Sequence, residues 1–157
     1  MTTRAPRSLR AVTTALSTGA ALTLPTVIGM AAPAQAADNP IGRVFELTNA
    51  ERAQAGCAPL GRSPSAGRAA QGYARELAGG SGLSHTGDDG SEFSDRMEAA
   101  GNPSPGAENI ARGQDSPEEV VQSWMESPGH RENILDCSLR TLGVGHAGEA
   151  WVQDFGR

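Results

Sequence analysis

Two histidines and a glutamate, set in three polar islands, are the residues of this chain best suited to chemistry. His85 stands in Ser84-His85-Thr86, Glu108 in the stretch from Gly106 to Gly113, and His130 in the stretch from Ser123 to Leu135, just past a Trp-bearing helix. Two neutral imidazoles and a carboxylate suit zinc or a similar divalent ion, with water completing the shell. Such a water could be activated for hydrolysis. Three separate segments supply the ligands, so spacing leaves their geometry open. No HExxH is present, and His130-Arg-Glu-Asn133 has the wrong spacing for one. The competing use of the same residues is structural, with both imidazoles hydrogen-bonded to Glu108 to hold the loops together. Ser84 and Ser127 offer hydroxyls near the histidines, but neither sits in a Gly-x-Ser-x-Gly elbow, so no catalytic residue is assigned.

The first residues stand apart from the rest. Arg4, Arg7 and Arg10 precede a mostly apolar or small stretch, and Ala34-Gln35-Ala36 offers a small-x-small cleavage site. Residues 1–36 therefore read as a secretory signal peptide, with one domain over residues 37–157. Thr, Ser, Gly and Pro25 dilute the apolar stretch, which argues against a membrane span, and none is expected in the mature protein. Beyond the leader, 10 arginines face 18 acids, a net charge of −8. That balance excludes nucleic acid as a partner, since such binding rests on neutralising phosphates with cations. Cys57 and Cys137 are the two cysteines. In an exported chain they read as a disulfide, and two buried thiols are the alternative.

Helical spacing begins after Asp38-Asn39-Pro40, with Ile41, Val44, Phe45 and Leu47 on one side and Arg43, Glu46, Glu51 and Arg52 on the other. Ser63-Pro64 opens a second helix whose alanines permit close approach to a neighbouring element. Gly87-Asp-Asp-Gly90 is a solvated turn without the calcium-loop pattern. Ser91 is expected to cap a third helix ending at Gly101. Ala107 to Ala111 reads as a short strand, and Ser116-Pro-Glu-Glu119 as a capping box before Val120, Val121 and Trp124. Pro128-Gly129 breaks that helix, and a further short turn carries His130. Leu142 to Gly145 and Ala150 to Phe155 read as strands joined by a His146–Glu149 loop, with Trp151, Gln153 and Phe155 on one face and Val152 and Asp154 on the other. His146 is expected to be solvent-exposed, Arg131 to pair with an acid, and Asn109 to bond a loop backbone. Helices first and strands last give an α+β fold with a small antiparallel sheet.

At these residues the chain resembles the CAP superfamily (cysteine-rich secretory proteins, antigen 5 and plant pathogenesis-related proteins), in its bacterial SCP-like extracellular branch. The carrying stretches are Leu47 to Arg52, Ser84-His85, Glu108 to Ala111, Ser123 to Met125, Ser127 to Arg131 with Asn133 to Leu135, Gly143 to Gly145, and Trp151 to Phe155, in the family's order. The resemblance implies an α-β-α sandwich with a central antiparallel sheet and a cleft in which His85, Glu108 and His130 match family positions, as candidate ligands of a divalent metal. The family's other acid follows the helix tryptophan by three residues. Here that place holds Ser127, and Glu126 lies one residue earlier, about 100° away around a helix, so both join the list of cleft candidates. The Cys57–Cys137 pair also fits members of this type. The resulting expectation is a secreted monomer that binds a small-molecule, lipid or envelope ligand, with a metal-dependent extracellular hydrolase as the alternative. A protein whose cleft merely stabilises the fold is the third class.

Overall fold

Each of the first two helices is started by a side chain and a proline. The computed structural model describes residues 1–2, 39–80 and 82–157. The leader expected over residues 1–36, and with it the proposed cleavage site, falls outside these apart from Met1 and Thr2. Helix α1 (Pro40–Gln54) is capped by the Asn39 side chain, which accepts from the Gly42 amide at 3.0 Å. Helix α2 (Pro64–Ala78) is capped in the same way by Ser63. Helix α3 (Phe93–Ala99) starts one residue later than expected. Glu92 and Asp95 bond each other's backbone amides there, because the Ser91 amide is already held in the preceding turn by Asp89. Helix α4 (Pro117–Glu126) begins at Ser116, whose hydroxyl accepts from the Glu119 amide. The Glu119 carboxylate reaches back to Asp115 rather than to Ser116, so the expected reciprocal box is only half made. Helix α5 (Pro128–Leu135) follows after the single residue Ser127.

Four strands make one sheet in the order β1-β3-β4-β2: β1 (Gly61–Arg62), β2 (Pro105–Arg112), β3 (Thr141–Ala147) and β4 (Ala150–Gly156). Strands β2 and β3 both run antiparallel to β4. The two residues of β1 add a parallel edge to β3, where a plain loop was expected. The β3–β4 turn is only Gly148-Glu149, with Gly148 at φ +54, so His146 belongs to the strand rather than to a loop. Its ring stacks on Trp151 at 3.6 Å between centroids and is partly buried, which corrects the expectation of an exposed histidine.

The two faces of the sheet are filled differently. Helix α2 lies directly on one face. A Cβ added at Gly143 would come within 2.1 Å of the Ala66–Gly67 backbone, and one at Gly145 within 2.2 Å of Ala70. Glycine facing alanine is what lets helix and sheet approach so closely. The opposite face is covered by α1, α4 and α5 around Val44, Val120, Trp124, Ile134, Trp151 and Phe155. The α-β-α sandwich expected from the sequence is the architecture observed, with β1 making its sheet mixed.

Arg52 departs from its expected place on the solvent side of α1. It is fully buried, and its guanidinium donates to the carbonyls of Ala58, Ile134, Asp136 and Leu139. Four carbonyls surrounding one cation fasten α1 to the turn that follows α5. Cys57 and Cys137 are disulfide-bonded across the same junction, with Cα atoms 5.0 Å apart. Closing a loop of that length contributes roughly 4–5 kcal/mol in the chain-entropy model.

Candidate functional site

Strand β2 pairs with β4 on one side only, and the residues of interest gather near its other side. Glu108 and Asp154 stand opposite each other in the β2–β4 register. They share the α2 face with Ile110 and Val152, since alternate residues of a strand point the same way. The Glu108 side chain is 1% exposed and is held from two directions. His85 Nδ1 lies 2.8 Å from its Oε1, and Arg96 Nη2 donates to its Oε2 at 2.8 Å. A carboxylate accepts, so His85 donates through Nδ1 and its Nε2 takes no part in that bond.

Arg96 organises this corner. Besides Glu108 it donates to the carbonyls of His85 and Ser91, at 3.0 Å and 2.6 Å. Its guanidinium lies over the Tyr73 ring, 3.6 Å from the centroid, in cation–π contact. The Tyr73 hydroxyl in turn donates to the Ser84 carbonyl. Helices α2 and α3 thus grip the His85 loop from both ends through one aromatic ring and one cation. Burial raises the Tyr73 phenol above its ordinary range, which keeps it a neutral donor.

Asp154 has no such support. It is 1% exposed, and its Oδ1 has no hydrogen-bond partner among the described residues. Burial, and then the neighbouring Glu108 charge, push its carboxyl well above the usual carboxylate range. Glu108 accepts hydrogen bonds from Arg96 and His85, whereas the Arg96 charge only partly offsets the burial of Asp154, so the proton is held on Asp154.

His130 approaches from the other layer, in the first turn of α5. Its pKa is lowered by burial and then by the charge of His85, so it is held neutral close to the other imidazole. Its ring makes no hydrogen bond to another described residue, while its backbone carbonyl accepts from Asn109 Nδ2 at 3.1 Å. Asn109 thus bonds a backbone carbonyl as expected, but one within helix α5 rather than in a loop, and the bond belongs to a neutral network on the α1/α5 face. Asn109 also donates to Gln153, Gln153 to Thr48, and Asn133 to both Asn109 and the Glu108 carbonyl. Glu126 lies elsewhere, exposed and accepting from Gln122 at 2.8 Å. Ser127 is the joint between α4 and α5 and makes no side-chain cap bond. Arg131 is exposed and forms no ion pair among the described residues, against the expected acid partner.

The structure therefore brings His85 and Glu108 together, sets His130 near them, and leaves Glu126 and Ser127 out of the cluster. Among the described residues no three His, Cys, Asp or Glu side chains are grouped so as to hold a metal ion. Both Glu108 oxygens are engaged, one by a guanidinium. Sequence reasoning missed Arg96 and Tyr73, which carry no motif. Asp154 had a usable signal, an acid in an otherwise apolar strand.

The cysteine-rich secretory protein (CAP) family model matches residues 45–155. The chain belongs to the CAP family. Protein YkwD of Bacillus subtilis (strain 168), itself uncharacterised, is 39% identical over 117 residues, covering 72% of this chain and 45% of that protein. The chain thus spans less than half the length of this curated relative. An SCP-domain extracellular protein of Bacillus anthracis str. Ames superposes with a TM-score of 0.72 at 26% identity, over 82% of this chain and 45% of that one. An outer surface protein of Borrelia burgdorferi shares the fold, with a TM-score of 0.67 at 20% identity over 75% of this chain and 92% of that one. The CAP corner in this chain is thus a histidine–glutamate–arginine clamp with a buried second acid beside it.

Proposed function

We propose that this CAP domain is an exported binding module whose ligand rests on His85 and His130 above the Glu108–Arg96 clamp. The observation that best supports the reading is the contrast in exposure across one hydrogen bond. The Glu108 side chain is 1% exposed and that of His85 is 52% exposed. A buried carboxylate held from both sides fixes an imidazole at the rim, with Nε2 free of that hydrogen bond. That arrangement offers a fixed ring nitrogen to a polar group of a small or envelope-derived ligand without reorganising. The neighbouring Ser84 hydroxyl accepts from the Thr86 amide at 3.0 Å, which holds the loop beside His85. Export accords with the disulfide and with the extracellular SCP-domain relative, and no described helix is long and apolar enough to cross a membrane.

Metal-dependent hydrolysis is the competing reading, favoured by the Nε2 of His85, free of the Glu108 bond, and the neutral His130. Calorimetry of the full chain and of a His85→Ala/His130→Ala variant against zinc, oleate and soluble cell-wall fragments separates the two. The binding-module reading expects an organic ligand to bind the wild type, to be lost in the variant, and to need no metal. Saturable zinc binding that is lost in the variant, together with zinc-dependent ester or peptide cleavage, would replace it with the hydrolase.

A further inference from the structure

Away from the histidine corner, at the opposite edge of the sheet, strand β3 is only partly covered. Strand β1 pairs with Thr141 and Leu142 and ends there, so Gly143 to Ala147 have no strand beyond them. The Leu142 carbonyl points to that side and accepts from the Ser63 amide. Both backbone groups of His146 point there too. Gln71 donates to the His146 carbonyl at 2.9 Å and accepts from its amide at 3.3 Å. Strand alternation therefore aims the N–H and C=O of Val144 outward between them, and neither has a backbone partner among the described residues outside the sheet. The Gln71 side chain supplies the donor–acceptor pair that a neighbouring strand would supply.

A cavity of about 530 Å³ lies along this edge, lined by Ile41, Pro64, Gly67, Gln71, Val144 and two arginines, Arg68 and Arg75. Helix α2 runs beside β3 in the same direction, with Ala66 against Gly143, Ala70 against Gly145 and Ala78 against Gly148. The arginines are seven residues apart on that helix, a rise of about 10 Å, which matches roughly three residues of an extended chain. No acid lines the cavity, and neither arginine forms an ion pair among the described residues, in a chain whose net charge is −5. Among the described residues Arg68 is anchored by donating to the Ala100 carbonyl.

We propose that this edge is a peptide-docking groove. An extended acidic segment of a partner protein continues the line of β1 along β3, displaces Gln71 from His146, bonds Val144 and His146, and sets its carboxylates against Arg68 and Arg75. The backbone edge supplies the register and the two cations select for acidic side chains, which is strand addition with a charge filter. The site is separate from the histidine corner and stands whether or not that corner binds a ligand.

The probe is a fluorescein-labelled heptapeptide of alternating valine and aspartate, titrated into the full chain and followed by polarisation and by amide hydrogen exchange. Saturable binding is expected, with slowed exchange at the Val144 and His146 amides. Arg68→Gln/Arg75→Gln should weaken it at least about tenfold, the loss of one or two charge-assisted contacts. N-methylating the peptide amides that face β3 should abolish binding, while N-methylation of the alternate set leaves it unchanged. That pair of peptides needs no protein variant and so cannot be confounded by misfolding. Equal binding of both methylated peptides, or no binding of the parent, would overturn the proposal. Preferential binding of inorganic phosphate or laurate at the same arginines would overturn it too, by making the groove an anion or lipid site.

Discussion

The two polar clusters on either side of β2 and β4 are neighbours in sequence and opposites in chemistry. Asn109 and Gln153, with Asn133 and Thr48, form a neutral network on the α1/α5 face in which the side chains bond one another and nearby carbonyls. One residue along each strand, Glu108 and Asp154 form an acid pair on the α2/α3 face that leaves Asp154 Oδ1 and Arg96 Nε without hydrogen-bond partners among the described residues. A saturated neutral network is what stability alone favours, because each buried polar group left unmet is costly. The charged corner opens to solvent at His85 and retains unmet groups, which is why the proposed ligand is placed on that side. The difference between the faces is testable, from the largest effect downward.

Gly145→Val puts a branched side chain into the α2 backbone, where even a Cβ would lie at 2.2 Å. Its expected cost is about 3 kcal/mol or more, read as a large fall in the urea midpoint, while the same change at the exposed Gly72, whose Cβ would meet nothing within 4 Å, should cost far less.

Gln153→Ala strips partners from Asn109 and Thr48 and should cost about 2–3 kcal/mol. The loss should be the same at pH 5 and pH 8, because no member of that network titrates. A strongly pH-dependent loss would show the two clusters to be one.

Asp154→Asn should do the reverse and stabilise. The folded-state pKa of Asp154 lies above its unfolded value, so its contribution is unimpaired below about pH 4 and is eroded as pH rises through the gap toward the folded pKa. The melting temperature of the variant should therefore exceed wild type at pH 7 by on the order of 4 °C and match it at pH 3.5. Equal melting curves at both pH values would mean that Asp154 ionises freely.

His130 titrates in the opposite sense. Burial and His85 depress its pKa, so the stability it contributes is complete above about pH 6.5 and is lost as pH falls through the lower folded value. His130→Gln should flatten the part of the stability curve just below neutrality that the wild type shows. His146→Ala, which removes a ring stacked on Trp151, should give the smallest change, about 0.5–1 kcal/mol.

Much of this arrangement was legible before the fold. Prolines after cap residues placed α1, α2 and α4, and the alternation from Trp151 to Phe155 placed the two faces of β4, whereas Pro128, expected as a breaker, opens α5. Alanines in α2 announced a close neighbour, which proved to be Gly143 and Gly145. Arg52 was misplaced because helical spacing reports which side a residue takes, whereas carbonyls far along the chain at Ile134, Asp136 and Leu139 decide whether a cation can be buried there. Glu126 and Ser127 could not be separated by spacing, because α4 ends at Glu126 and the chain turns at Ser127 itself. His146 depended on a turn of two residues rather than four.

The sequence by itself determined most of the helices, the alternation of the strands, the pairing of the two cysteines, and the resemblance to the CAP family carried by stretches from Leu47 to Phe155. These are local or additive signals, set by backbone sterics and by the period of apolar residues. The tertiary structure alone decided that Arg96 takes the second oxygen of Glu108, that Asp154 is buried beside it, and that Gln71 stands in for a missing strand at β3. Each of those depends on groups tens of residues apart meeting within hydrogen-bond distance, and no spacing along the chain encodes such a meeting.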